Sequence, residues 1–165
     1  MSSVAALSQA VVHEKYGGLQ CAPMSVEDLD AVVEIEQAVY SHPWTRGNFQ
    51  DSLYSGYLAQ TLRNHAGQLL GYFLVMLAVE EAHLLNISVA AAHQHQGLGR
   101  LLLDRATALA RHHAMQTMLL EVRESNLHAA KVYRQYGFAE IGRRKNYYPA
   151  ANQSREGAIV MSLPL

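Results

Sequence analysis

The chain has 165 residues, half of them apolar, with 13 basic against 14 acidic side chains and a formal charge of −1. That length fills one ordinary core and is short for two, and the even charge balance offers no global field for nucleic acid or an anionic membrane. Cys21 is the only cysteine, which excludes an intramolecular disulfide framework and fits a reducing, cytoplasmic setting; no stretch approaches the roughly 18 apolar residues of a membrane span, and the start lacks a basic signal-peptide region.

Residues 1–17 show no firm periodicity and read as an N-terminal arm whose order the pattern leaves open; 18–165 read as a single domain. A short strand is expected over 18–24. Ser25 with Asp28 gives an N-cap and capping-box signal for a helix to about 40, whose apolar side is Leu29, Val32, Val33 and Ile35. Pro43 stops that helix, and Thr45 caps a second, short one to about 55. Three apolar runs follow at 57–62, 69–79 and 83–90, separated by turn-forming or charged residues at 64–67 and 80–81, which makes an antiparallel meander. A long helix from Gly97 to about 114 buries Leu98, Leu101, Leu102, Ala106 and Leu109. A strand at 117–122, a helix over 126–136 closed by Gly137, and strands near 138–147 and 157–163 complete the chain. The sum is α+β, helices packed on a mixed sheet, with no internal repeats, low-complexity stretches or linkers.

The segment 86–100 carries the strongest chemical signal, because an apolar strand empties into a glycine turn that opens an amphipathic helix. Gly97 and Gly99 lack a Cβ, so backbone can approach an anion, and the first N–H groups of the helix are unpaired at the positive end of its dipole. The partner is therefore expected to carry phosphates. A dinucleotide-binding turn wants a third glycine where Leu102 stands, and a nucleoside-triphosphate loop wants Lys-Ser/Thr where Arg100 and Leu101 stand. What remains, Gln94-x-x-Gly97-x-Gly99, is similar to the acetyl-coenzyme A loop of the GNAT N-acetyltransferases; alone it also fits a plain glycine-rich turn that binds nothing.

Downstream, Glu121 places a carboxylate near the C-terminal end of an otherwise apolar strand, where open sheets put their ligands. The plain alternative is a strand-end glutamate paired with Arg123 or facing solvent. Ser125 or Asn126 caps the next helix, and Tyr133 lies about two turns in, on the side shared with Ala129 and Ala130; its plain alternative is a core tyrosine with a satisfied hydroxyl. His93 with His95, and His112 with His113, have no evident third ligand nearby, so no metal is expected.

The runs Leu120-Glu-Val-Arg-Glu-Ser-Asn126, Ala129-Ala-Lys-Val-Tyr133-Arg-Gln-Tyr-Gly137-Phe138 and Arg143-Arg-Lys-Asn-Tyr-Tyr-Pro149, with His42-Pro-Trp44 and Leu85-Asn-Ile-Ser-Val89, resemble the RimI family of the GNAT superfamily over roughly residues 20 to 163. The resemblance implies the α/β GNAT fold, a mixed, mostly antiparallel central sheet of six to seven strands flanked by about four helices. It implies an enzyme that moves acetyl from acetyl-coenzyme A, as co-substrate, to the N-terminal alanine of a ribosomal protein, the eighteenth of the small subunit. It further implies a monomer with no metal. Glu121 would be the general base and Tyr133 the general acid. Ile87, Ser88 and Val89 would lie along the pantetheine and acetyl group, with a backbone N–H near Val89 on the thioester carbonyl. Gln94, His95, Gln96, Gly97, Leu98, Gly99 and Arg100 would hold the pyrophosphate, and Asn126 would contact the coenzyme near its sulfur. His42, Trp44, Asn146, Tyr147 and Tyr148 would border the acceptor channel. His95 stands where many relatives carry Arg, which predicts a weaker or pH-dependent phosphate contact.

These roles are chemically coherent. An α-amino group titrates near about 8 against about 10.4 for lysine, so a carboxylate working through water can deprotonate it. A fixed backbone N–H can stabilise the oxyanion and a phenol can protonate the departing thiolate, with no covalent enzyme intermediate. A basic target would suit a locally acidic channel, for which Glu121, Glu124 and Glu156 are candidates. Two other readings share these residues: a GNAT enzyme for lysine side chains or small amines, and a non-catalytic acyl-coenzyme A sensor, which would not need Glu121 and Tyr133 together.

Overall fold

Strand alternation and helical periodicity sort residues 8–165, those described by the computed structural model, into eight strands and four helices. In chain order these are β1 (Gln9–His13), β2 (Gly17–Pro23), α1 (Leu29–Val39), α2 (Arg46–Tyr54), β3 (Leu58–Asn64), β4 (Leu69–Leu77), β5 (Glu81–Val89), α3 (Leu98–His112), β6 (Thr117–Arg123), α4 (Leu127–Tyr136), β7 (Ala139–Pro149) and β8 (Arg155–Pro164). They form one sheet in the order β1-β2-β3-β4-β5-β6-β8-β7. Every neighbouring pair is antiparallel except β5 with β6. This is the expected α+β architecture, with one strand more than expected.

The extra strand comes from the N-terminal arm, of which residues 1–7 lie outside the described residues. β1 pairs with β2 from Gln9↔Cys21 to His13↔Gly17. As an edge strand it buries almost nothing, so period-two patterning that would reveal it is missing. The other elements follow their local signals. Ser25 N–H donates to the Asp28 carboxylate at 2.8 Å, and the first turn, Val26–Asp28, is wound as a tight 3-10 turn before α1 begins. Thr45 and Asn48 exchange side-chain to backbone hydrogen bonds at the start of α2, and Gly97, at φ 84°, caps α3.

The core lies on both faces of β4. Leu70, Phe73 and Val75 join Leu98, Leu102, Leu103, Ala106 and Leu109 of α3, together with Met118 and Leu120 of β6. Leu69, Tyr72 and Leu74 join Leu29 and Val32 of α1 and Phe49 of α2. Burial on both faces explains why β4 reads as a continuous apolar run.

Two irregularities in β5 open the sheet near its C-terminal end. Its register with β4 runs Val75↔Leu84 and then Leu74↔Asn86, so Leu85 is an extra, bulged residue. Its parallel pairing with β6 spans only Glu81↔Thr117 to Leu84↔Leu120, although both strands continue beyond. A bulge bends and twists the strand that carries it, and here the bend separates the C-terminal halves of β5 and β6.

Gly71 lets α3 and β5 close against β4 at this point. A Cβ on Gly71 would lie 2.6 Å from the Ser88 carbonyl oxygen and 3.0 Å from Leu102 Cδ1, with no flexible end to yield on the β5 side. Gly71→Ala is expected to cost about 1–3 kcal/mol, the range for overpacked cores. Thermal unfolding should show this as a drop of several degrees; an unchanged midpoint would show that this backbone approach is not tight.

Candidate active site

Where β5 leaves β6, its outer edge is bare of strand partners and must be satisfied otherwise. The Ile87 carbonyl accepts the Tyr40 hydroxyl at 2.8 Å, and the Val89 carbonyl accepts the Gln94 side-chain amide at 3.1 Å. In an extended strand the N–H and C=O of one residue share an edge, so the N–H groups of Ile87 and Val89 face the same opening. Ser88 points the other way, buried, and its hydroxyl donates to Tyr40 at 2.9 Å.

Tyr40 is oriented by a second layer. Glu36, 2 % exposed, receives the Tyr72 hydroxyl, the Asn86 side-chain amide at 3.1 and 3.2 Å, and the Trp44 backbone N–H at 3.1 Å. Burial, then the Glu36 charge, pushes the Tyr72 phenol far above its ordinary value. Burial likewise raises Tyr40. Sequence reasoning misses both Glu36 and Tyr40; the available signal is a carboxylate continuing the apolar stripe of Leu29, Val32 and Val33 on α1.

At the far end of β5 the loop into α3 is ready to receive an anion. His95 and Gly97 take left-handed conformations, φ 61° and 84°, and the first hydrogen bond of α3 runs from Leu101 N–H to the Gly97 carbonyl at 3.1 Å. The N–H groups of Leu98, Gly99 and Arg100 therefore have no intrahelical acceptor and point along the positive end of a 15-residue helix. Leu98 is buried and anchors the turn, while space around the absent Gly99 side chain is open. Arg100 is exposed, its guanidinium 5.8 Å from the Tyr136 ring. The His95 ring meets the His128 ring edge-on at 5.3 Å. The side chains of Gln94 and Gln96 are turned inward, Gln94 to Val89 and Gln96 to Tyr16, so any phosphate contact there falls to the backbone. A strand edge with free donors that leads to a helix start fits a long thioester carrier with a pyrophosphate.

On the opposite lip, Glu121 projects from β6 and pairs with Arg144 at 3.0 Å, not with Arg123. Arg123 is committed elsewhere: it donates to the Pro149 carbonyl at 2.7 Å and to Glu156 at 2.8 Å, and its guanidinium lies 4.5 Å over the Tyr148 ring. A hydrogen bond to Glu121, with burial second, raises the Tyr147 phenol. Burial, then the Glu121 charge, pushes Tyr148 up to about 12. Tyr133, packed edge-on against Phe138, is raised further still by burial, with Tyr40 and Tyr148 adding to it. Glu121, Tyr133, Tyr40, Tyr147 and Tyr148 thus meet around one opening.

The remaining expected residues divide. Asn126 caps α4, its carbonyl oxygen accepting Ala129 N–H at 3.2 Å, so a coenzyme contact would use its amide nitrogen. His42 lines a cavity of about 290 Å³ with Tyr40, Arg123, Ser125 and Asn126. Trp44 is absent from that lining and packs on Phe49 at 5.3 Å. Asn146 adopts φ 51°, and Arg155 holds its carbonyl and that of Tyr147, each at 2.9 Å. The three carboxylates expected to make an acidic channel each meet an arginine: Glu121 with Arg144, Glu124 with Arg143 and Glu156 with Arg123. Among the described residues no group of three or more His, Cys, Asp or Glu is placed to hold a metal ion, and no helix is long and apolar enough to cross a membrane.

An opening of this shape suits a slender donor laid along a strand edge with its phosphates at a helix start. Comparison with known proteins agrees. The pattern of the Acetyltransferase (GNAT) family matches residues 29–138. The [ribosomal protein bS18]-alanine N-acetyltransferase of Escherichia coli K12 is 36% identical over 142 residues, 86% of this chain and 95% of that one. The Haemophilus influenzae protein of the same name is 36% identical over 135 residues, 82% and 91% of the two chains. The crystal structure of the Escherichia coli enzyme superposes with a TM-score of 0.81 at 35% identity, covering 88% of this chain and 93% of that one. The chain belongs to the GNAT acetyltransferase family, the acetyl-coenzyme A-dependent N-acetyltransferases. Within it, the chain falls in the RimI group.

The tyrosine environment is directly measurable. A phenol at about 12 is only about a tenth ionised at pH 11, whereas an ordinary one near about 10 is mostly ionised there. The alkaline absorbance titration of the wild type minus that of Tyr148→Phe should therefore stay nearly flat to about pH 11. A full tyrosinate step near pH 10 would show that Tyr148 is neither desolvated nor beside Glu121.

Proposed function

We propose that the protein acetylates the N-terminal alanine of the ribosomal protein corresponding to bS18, with residues 18–165 and the added edge strand β1 acting as one catalytic domain. The observation that carries this reading is the 36% identity to the bS18-alanine enzyme across 95% of that enzyme's length, and the gathering of Glu121 and the tyrosines opposite the bare edge of β5 supports it.

In this reading the coenzyme supplies an activated acetyl thioester, and the residues of the chain do the rest. The N–H groups of Leu98, Gly99 and Arg100 hold the pyrophosphate, as helix starts do, while the edge of Ile87–Val89 holds the acyl arm, and the Val89 N–H polarises the thioester carbonyl. Glu121 takes the proton of the incoming α-ammonium, a modest task because that group is ordinarily near about 8. Tyr133 protonates the departing thiolate sulfur as the C–S bond breaks, giving the free thiol. Its raised pKa keeps the phenol protonated as pH rises, so the proton to be delivered is present throughout the range in which the amine becomes neutral. Tyr40, hydrogen-bonded to Ile87 and Ser88, orients the strand edge. His42, Asn146, Tyr147 and Tyr148 border the acceptor entrance, with Trp44 behind them as a wall.

Glu121→Gln and Tyr133→Phe are each expected to lower kcat by about 100-fold or more, the scale of an acid or base group, while coenzyme affinity by calorimetry stays within about 3-fold; unimpaired turnover in both would remove the assigned roles. Acceptor class is tested by mass spectrometry on two peptides incubated with enzyme and acetyl-coenzyme A. One has a free N-terminal alanine followed by basic residues, and the other is N-terminally blocked with an internal lysine. Acetylation of the first alone is expected; modification of the second alone would make this a lysine acetyltransferase.

A further inference from the structure

The turn between β1 and β2 reaches across to the loop that opens α3, and the protons of that contact can be assigned. The Gln96 carbonyl only accepts, so His13 donates to it from Nε2 at 3.0 Å, while His13 Nδ1 accepts the Lys15 backbone N–H at 3.1 Å. Tyr16 has one hydroxyl proton and gives it to Gln96 Oε1 at 2.9 Å, which leaves its oxygen to accept His93 Nδ1–H at 2.8 Å. The part-buried Tyr16 ring sits between the His13 ring at 5.2 Å and the His93 ring at 5.5 Å. The hairpin and the loop are thus tied by contacts that span 77 to 83 positions of sequence. The hairpin that supplies them lies ahead of residues 29–138, where the GNAT family pattern matches.

The loop has reason to need this. It strings a left-handed His95, unfavourable for a residue with a Cβ, next but one to a left-handed Gly97. Gln96, between them, is the residue grasped on both its side chain and its carbonyl. A loop with two such residues has many alternatives in which the N–H groups ahead of α3 diverge, and fixing it before a ligand arrives removes an ordering cost from binding.

We infer that the β1–β2 turn is a strap that sets the pyrophosphate loop, with Tyr16 and His13 as positioning residues for the coenzyme. This rests on the proposed function, in which residues 94–100 hold the pyrophosphate. The strap acts through the loop, so it matters to a donor that has a pyrophosphate and is invisible to one that lacks it.

The test compares acetyl-coenzyme A with S-acetylpantetheine, which carries the same thioester without the nucleotide, as donors to the alanine peptide. Tyr16→Phe keeps the ring and removes only the hydroxyl. It is expected to raise KM for acetyl-coenzyme A about 3- to 10-fold, the scale of losing a neutral hydrogen bond, with kcat within about 2-fold. Its kcat/KM for S-acetylpantetheine should stay within about 2-fold of wild type. An equal fall with both donors would show that Tyr16 merely supports the fold, and an unchanged KM for acetyl-coenzyme A would overturn the strap. Gly97→Ala in the same assay separates the two levels of failure. If it loses the preference for acetyl-coenzyme A while Tyr16→Phe keeps it, the strap alone is wrong; if neither loses it, the loop does not hold the pyrophosphate and the strap falls with it.

Discussion

The parting of β5 from β6 after Leu84 and Leu120 is the constraint on which the rest of the molecule depends. A sheet that stops pairing in its interior exposes peptide groups that each cost about 1–3 kcal/mol if left buried and unmet. The chain meets them with borrowed groups: the Tyr40 hydroxyl for the Ile87 carbonyl and the Gln94 amide for the Val89 carbonyl. These are single-sided solutions. They satisfy acceptors and leave the N–H groups of the same edge without a strand partner, so the irregularity that would weaken an ordinary sheet becomes a row of donors. The bulge at Leu85 is the local cause, because the extra residue turns β5 away from the direction in which β6 continues.

Glu36 fastens the frame around that opening. A carboxylate taken out of water costs several kcal/mol unless its oxygens are fully met, and here they receive donors from the loop after α1 (Trp44), from β4 (Tyr72) and from β5 (Asn86). Three elements are thereby registered to one group. Surface ion pairs such as Arg46–Asp30, with Asp30 91% exposed, are worth about 0–1 kcal/mol and cannot do the same. Tyr40 sits one helical turn beyond Glu36, so the residue that closes the β5 edge is placed by the residue that ties α1 to β5.

Much of this fold is legible in the sequence, for local reasons. Capping at Ser25, Thr45 and Gly97, the apolar stripe of α3 and the double-sided run of β4 are statements about neighbours in the chain, and those elements fall where the pattern puts them. The glycine turn is legible as a turn because the residues that shape it are consecutive, with Gly97 taking the left-handed conformation that opens α3. What escapes is non-local. Edge strand β1 buries too little to leave a period. Sequence proximity offers Glu121 the nearby Arg123, whereas its partner Arg144 comes from β7, beyond the intervening β8. Glu36 looks like one more helix carboxylate, although its place in the stripe with Leu29 and Val32 marks it as inward. Tyr16, in an arm without pattern, gives no sign that it touches Gln96, 80 positions away.

The three carboxylates expected to form an acidic channel show why pairing matters more than count. Glu156 is locked: it shares Arg123 with the Pro149 carbonyl, also accepts Ser125 N–H, and both members of the pair are only 22% exposed. These bonds fix the start of α4 and the end of β7, and the pull of Arg123 and Ser125 lowers the Glu156 pKa. Arg144, by contrast, is 58% exposed where it meets Glu121. With its arginine so open to solvent, this pair contributes little to stability, and Arg144 can swing into water without leaving any other carboxylate. The same sheet corner therefore holds two arginine–carboxylate pairs whose carboxylates are about equally buried, Glu121 24% and Glu156 22% exposed, and the difference between them lies in the arginines: Arg123 is 22% exposed and also bound to the Pro149 carbonyl, whereas Arg144 is 58% exposed.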